Sequence, residues 1–62
     1  MRRRRHVINR MAALAARHDA VERQIQRELK RPAPDDLAIT RLKRIKLALK
    51  DQLYALRARA VA

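Results

Sequence analysis

Two prolines one residue apart, Pro32-Ala33-Pro34, interrupt a chain that is otherwise free of helix breakers, with no glycine anywhere. A proline inside a helix loses a backbone hydrogen bond, and the residue before it is pushed out of the helical region. The break divides the chain into two nearly equal halves. Each half is written in alanine, leucine, arginine, lysine, glutamine and glutamate, the strong helix formers. β-Branched residues are too few to build a sheet.

The apolar spacing within each half decides what the two helices do. Val7, Met11, Leu14, His18, Val21 and Ile25 recur at alternating steps of four and three. This is one face of a helix in coiled-coil-like register. Leu29 extends the stripe by a turn, and Ile8, Ala12 and Ala15 are expected to widen it. After the prolines, Ile39, Leu42, Lys46, Leu49, Leu53, Leu56 and Ala60 repeat the same spacing, with Ile45 and Gln52 flanking. Pro34-Asp35-Asp36 suits the start of this helix, where carboxylates meet the positive end of the dipole.

The resulting expectation is an all-α fold with four pieces. Residues 1–5 form a disordered basic tail of four consecutive arginines, because like charges repel at that density. The first helix runs over about residues 6–31, the turn over 32–34, and the second helix over about 35–60. Helices of about 25 residues, near 38 Å long, joined by so short a turn run antiparallel. The product is a coiled-coil-like two-helix hairpin forming a single domain, residues 6–62. Packing between its helices falls to Met11, Leu14, Val21, Ile25, Leu42, Leu49, Leu53 and Leu56.

A hairpin buries only one face of each helix, so Leu37, Ile45, Leu47 and Tyr54 stay wet. Leu47 and Tyr54 lie seven apart on a separate face and form a candidate oligomer face. A two-fold dimer making a four-helix bundle is the simplest way to cover them.

Several polar residues fall inside the register. In a hairpin centred near residue 34, His18, Glu22, Lys46 and Lys50 lie at one height, and Glu22 pairs across the helices with Lys46. This reads as a polar layer that fixes register in an otherwise leucine-rich seam. The other reading is a small anion site.

Composition excludes whole classes of function. The chain has 62 residues, no cysteine and no glycine. Disulfides, thiolate zinc sites, phosphate-cradling loops and nucleophile elbows are therefore ruled out. A hairpin of this size does not enclose a substrate-sized cavity. There is no serine, and Thr40 and Tyr54 carry the only hydroxyls. His6 and His18 are too far apart to share a metal. No enzyme activity and no cofactor are expected. No apolar run approaches the roughly 20 residues of a membrane span, and the start of the chain lacks the apolar core of an export signal. A cytoplasmic protein is expected.

The charge is the strongest functional signal. Seventeen lysines and arginines against six acidic residues give a formal charge of +11. Arg2, Arg3, Arg4 and Arg5, with Arg41, Lys43 and Arg44 on the second helix, are the candidate nucleic-acid contacts. Such contacts act through counterion release at phosphates and are salt-sensitive. With one tyrosine and no other aromatic, base stacking is not expected. A basic amphipathic helix could also lie on anionic lipid, but the lack of Trp and Phe disfavours the membrane.

The string His18-x-x-Val21-Glu22-x-x-Ile25, the Pro34-Asp35-Asp36 turn and Leu42-Lys43-x-x-Lys46-Leu47-x-Leu49-Lys50-Asp51 together resemble the YdcH-like family of short bacterial proteins. The resemblance covers roughly residues 18–56. It implies a small cytoplasmic helical hairpin and brings no catalytic residues to carry over. Ile45, Gln52 and the arginine tail depart from what the resemblance leads one to expect. On these grounds the expected role is protein–protein association, with a second copy or another protein. Sequence-independent nucleic-acid binding is the alternative.

Overall fold

The computed structural model describes the backbone of residues 2–61 and the side chains of residues 7–60. Helix α1 spans Arg2–Leu29 and helix α2 spans Asp36–Val61, and there is no strand among the described residues. The two helices pack antiparallel into a hairpin of 50 × 14 × 12 Å with a radius of gyration of 14.5 Å. The four-three spacing builds the seam. Leu14, Ile25, Ile39, Leu49 and Leu56 are buried. Val7, Met11, Val21 and Leu53 pack against the cluster of Leu14, Leu49 and Leu56. Leu42 is half-buried on the same face.

The turn is built from hydrogen bonds. The Lys30 N–H donates to the carbonyls of Gln26 and Arg27, both at 3.3 Å, and the Arg31 N–H donates to Glu28 at 3.2 Å. These tighter bonds end α1 ahead of the prolines. Asp35 then caps α2. Its Oδ1 accepts the N–H groups of Leu37 at 3.0 Å and Ala38 at 3.2 Å, and its carbonyl accepts the Ile39 N–H at 3.0 Å. An aspartate in this role satisfies donors that the first helical turn leaves unpaired. No described residue has a positive φ, so the reversal is made without the left-handed residue that often ends a helix.

Glu28 ties the two sides of the turn together. Its Oε1 accepts the Asp35 backbone N–H at 3.0 Å, and Arg31 Nη1 donates to both of its oxygens at 3.3 and 3.2 Å. The Glu28 side chain is only 15% exposed. The Asp35 N–H, and after it Arg31, hold the Glu28 carboxyl below its ordinary 4.5.

Several expectations are corrected. The backbone of residues 2–5, expected as a disordered tail, continues α1. Arginine is a good helix former, and extending an existing helix needs no new nucleus, so propagation overrides the repulsion. Helix α1 ends at Leu29 rather than Arg31, and α2 starts at Asp36 rather than Asp35, because the cap and the tight bonds at Lys30 and Arg31 take those positions. Leu29 does not extend the seam and is 49% exposed. Glu28, seven residues after Val21, takes the inward place at that level. Ile8, Ala12 and Ala15 do not widen the seam either. All three are exposed, Ile8 at 59%, because two helices in contact bury only a narrow stripe of each.

Candidate interaction site

The register that aligns the leucines also aligns the polar residues. Lys46 Nζ lies 2.8 Å from Glu22 Oε2 across the hairpin. Gln26, one turn along α1, donates to the other Glu22 oxygen at 3.4 Å. The Lys46 ammonium, then Gln26, hold the Glu22 carboxyl below its ordinary 4.5. His18 lies one turn before Glu22, with its Nδ1 3.7 Å from Asp19 Oδ1. The structure therefore brings Glu22 and Lys46 into contact. It leaves His18 and Lys50 as neighbours on the wall of one groove rather than in that pair. Among the described residues, no three acidic or histidine side chains gather in a way that could hold a metal.

That groove runs along one edge of the seam. Its volume is about 360 Å³, and it is lined by Met11, His18, Lys50, Leu53, Tyr54 and Arg57. The floor is the thioether and leucine of the seam, and the α2 wall carries two cations and a tyrosine. A second depression of about 430 Å³ lies on the opposite edge toward the turn, where Gln24, Arg27, Glu28, Ala38, Arg41 and Leu42 line it. Its polar lining and the Glu28 clamp identify it with the turn structure.

Leu47 and Tyr54, the face singled out by spacing, are 60% and 61% exposed. Both lie on α2, and Tyr54 lines the first groove. Arg41, Lys43 and Arg44 are also exposed. The side chains of Arg2, Arg3, Arg4 and Arg5 lie outside the described residues.

The hairpin exposes more surface than its mass requires. Its accessible surface is 5560 Å², whereas a compact monomer of 7.3 kDa exposes about 4,200 Å². The excess is about 1,400 Å², larger than the roughly 800 Å² that one partner contributes to a standard interface. No helix among the described residues is long and apolar enough to cross a membrane.

The spacing reveals the seam and the Glu22–Lys46 pair, and Leu47 and Tyr54 stay exposed as expected of a lone hairpin. The Glu28 clamp was not expected. The signal was present, since Glu28 stands seven residues after Val21 in the series 7, 14, 21, 28. It was obscured by Leu29, an apolar neighbour that fits the stripe almost as well.

A family model described as a protein of unknown function, DUF465, matches residues 11–57. Comparisons with curated proteins and with solved structures give no match.

Proposed function

We propose that this chain, which belongs to DUF465, the YdcH-like family, is a non-enzymatic protein that acts by associating through a helix face. The observation that carries this reading is the exposure of Leu47 and Tyr54 on one face of a hairpin whose seam is already filled. Large apolar groups in line on a rigid helix are what a partner helix packs against. The absence of serine and cysteine, and the open shape of both grooves, favour binding over chemistry. A second copy of the chain and a different protein are both partners of the kind this face accepts.

The test is the pair of substitutions Leu47→Ser and Tyr54→Ser. Both residues are exposed, so helix content by circular dichroism should be unchanged. Complex formation, read as mass in sedimentation equilibrium or as recovery of a partner, should be lost. An unchanged complex would remove this face from the reading.

The excess of seventeen cationic over six acidic residues supports a second reading, sequence-independent nucleic-acid binding through Arg2–Arg5, Arg41, Lys43 and Arg44. Anisotropy of random-sequence duplex DNA and single-stranded RNA, at low and near-physiological salt, separates the two. Binding retained at the higher salt, tighter than the roughly 10⁻⁴–10⁻⁶ M of non-specific contacts, would put nucleic acid first.

A further inference from the structure

The face beside the first groove has a pattern that specifies its occupant. Lys43, Leu47, Lys50, Tyr54 and Arg57 follow one another at steps of four, three, four and three along α2. This is the same spacing that builds the seam, displaced around the helix, and all five residues are exposed. Cations and apolar groups alternate along it. The stripe extends about 21 Å at 1.5 Å per residue, the length of about two heptads.

No cation of this stripe is held in an ion pair among the described residues. Among the described residues the ion pairs are His18–Asp19, Glu28–Arg31 and Glu22–Lys46. None involves Lys43, Lys50 or Arg57. Near the groove, Asp19 Oδ1 lies 3.7 Å from the lining residue His18, and Glu22 is already held by Lys46 at 2.8 Å. The groove beside the stripe has an apolar floor of Met11 and Leu53, while Lys50 and Arg57 stand on its wall.

We infer that the stripe and groove dock an acidic amphipathic helix of another protein, with apolar residues on Leu47, Tyr54 and the groove floor and carboxylates facing Lys43, Lys50 and Arg57. The inference rests on the association reading and narrows it. A second copy fits less well, because a two-fold arrangement sets each stripe against itself, cation to cation, and joins two chains of +11. A phosphate backbone would satisfy the cations but leave Leu47 and Tyr54 without apolar partners. Alternation at helical spacing matches a helix, whose own flanking positions carry charge.

The test uses the full-length chain and a fluorescein-labelled synthetic helix of about three heptads. The helix has leucine at its seam positions and glutamate at the flanking ones. A second peptide carries lysine in place of each glutamate. At near-physiological salt the acidic peptide should bind at least about tenfold more tightly than the lysine peptide. Lys50→Glu with Arg57→Glu should weaken it by about tenfold or more. Arg23→Glu with Arg59→Glu makes the same change in net charge on exposed positions away from the stripe, and should weaken it by less than about threefold. Leu47→Ser with Tyr54→Ser should abolish binding, and if that variant loses helix content the two charge variants still decide the question.

Equal weakening by both charge-reversed pairs would overturn the inference, since bulk charge would then be the cause. Absence of peptide binding, with the chain itself a dimer by sedimentation equilibrium, would also overturn it. That outcome would assign the face to a second copy and leave the association reading standing. Absence of peptide binding in a monomer would overturn both, whether or not random-sequence DNA binds.

Discussion

The turn end and the open end of the hairpin are held by different physics. The side-chain hydrogen bonds among the described residues fall between Glu22 and Lys46. Toward the open end, the cluster of Leu14, Leu49 and Leu56 with Val7, Met11, Val21 and Leu53 is apolar throughout. Directional bonds act over short distances and set register, so they are most effective at the reversal, where one residue of slip would misalign every layer. Apolar burial is non-directional and scales with area, so it suits the long arms. The turn thus selects the pairing, and the arms supply the stability. The same arms also present surface that the hairpin does not use.

A cavity in the apolar arm should be the most damaging change. Leu49→Ala truncates a buried leucine in the central cluster and should cost about 2–5 kcal/mol. A chain of this length has a total stability of only about 3–9 kcal/mol. Urea titration followed by circular dichroism should find much of the helix lost already in dilute denaturant.

A smaller effect breaks the turn. Asp35→Ala removes the acceptor for the Leu37 and Ala38 N–H groups and should cost about 0.5–2 kcal/mol. Asp35→Asn should recover most of that loss, because the amide oxygen can still accept. If alanine and asparagine behave alike in thermal melts, the cap is not what holds the start of α2.

Acid acts more weakly, through two carboxylates near the turn. Glu28 and Glu22 both have folded pKa values below their ordinary 4.5, the first through the Asp35 N–H and Arg31, the second through Lys46 and Gln26. The folded state therefore binds protons less readily than the unfolded one. The stability this contributes is fully present above the ordinary value and is lost as pH falls through the folded values. Melting temperature should decline from about pH 5 downward. Glu28→Gln should flatten that decline in part, and adding Glu22→Gln should flatten it further. A profile unaffected by either change would place the acid sensitivity elsewhere.

Legibility in the sequence followed the same division. The arms could be read because burial leaves a period: residues 7 to 25 and 39 to 60 repeat at four-three steps, and the prolines mark the reversal. The Glu22–Lys46 pair could be read because register is arithmetic once the reversal is placed. The turn could be read only in outline. Its bonds depend on which carboxylate folds back onto which N–H, and spacing does not encode that. The inward place of Glu28 is in the spacing but masked by Leu29, its bonds to Asp35 and Arg31 are not in the spacing at all, and the helix ends differ from the expected ones by one or two residues. The backbone of residues 2–5 is helical because extending an existing helix needs no new nucleus, which repulsion among arginines alone does not take into account. The Lys43-to-Arg57 stripe was half legible. Leu47 and Tyr54 stand out as apolar, while Lys50 between them and Lys43 and Arg57 on either side merge into the general excess of charge.

The slender shape of the hairpin affects how its mass must be measured. A compact globule with a radius of gyration of 14.5 Å would contain roughly 140 residues, more than twice the length of this chain. On a gel-filtration column calibrated with spherical standards, a single hairpin would thus elute where a globular dimer is expected. Retention volume would report self-association even for a monomer. Only methods that weigh the particle independently of its shape, such as light scattering or sedimentation equilibrium, can tell one rod from two.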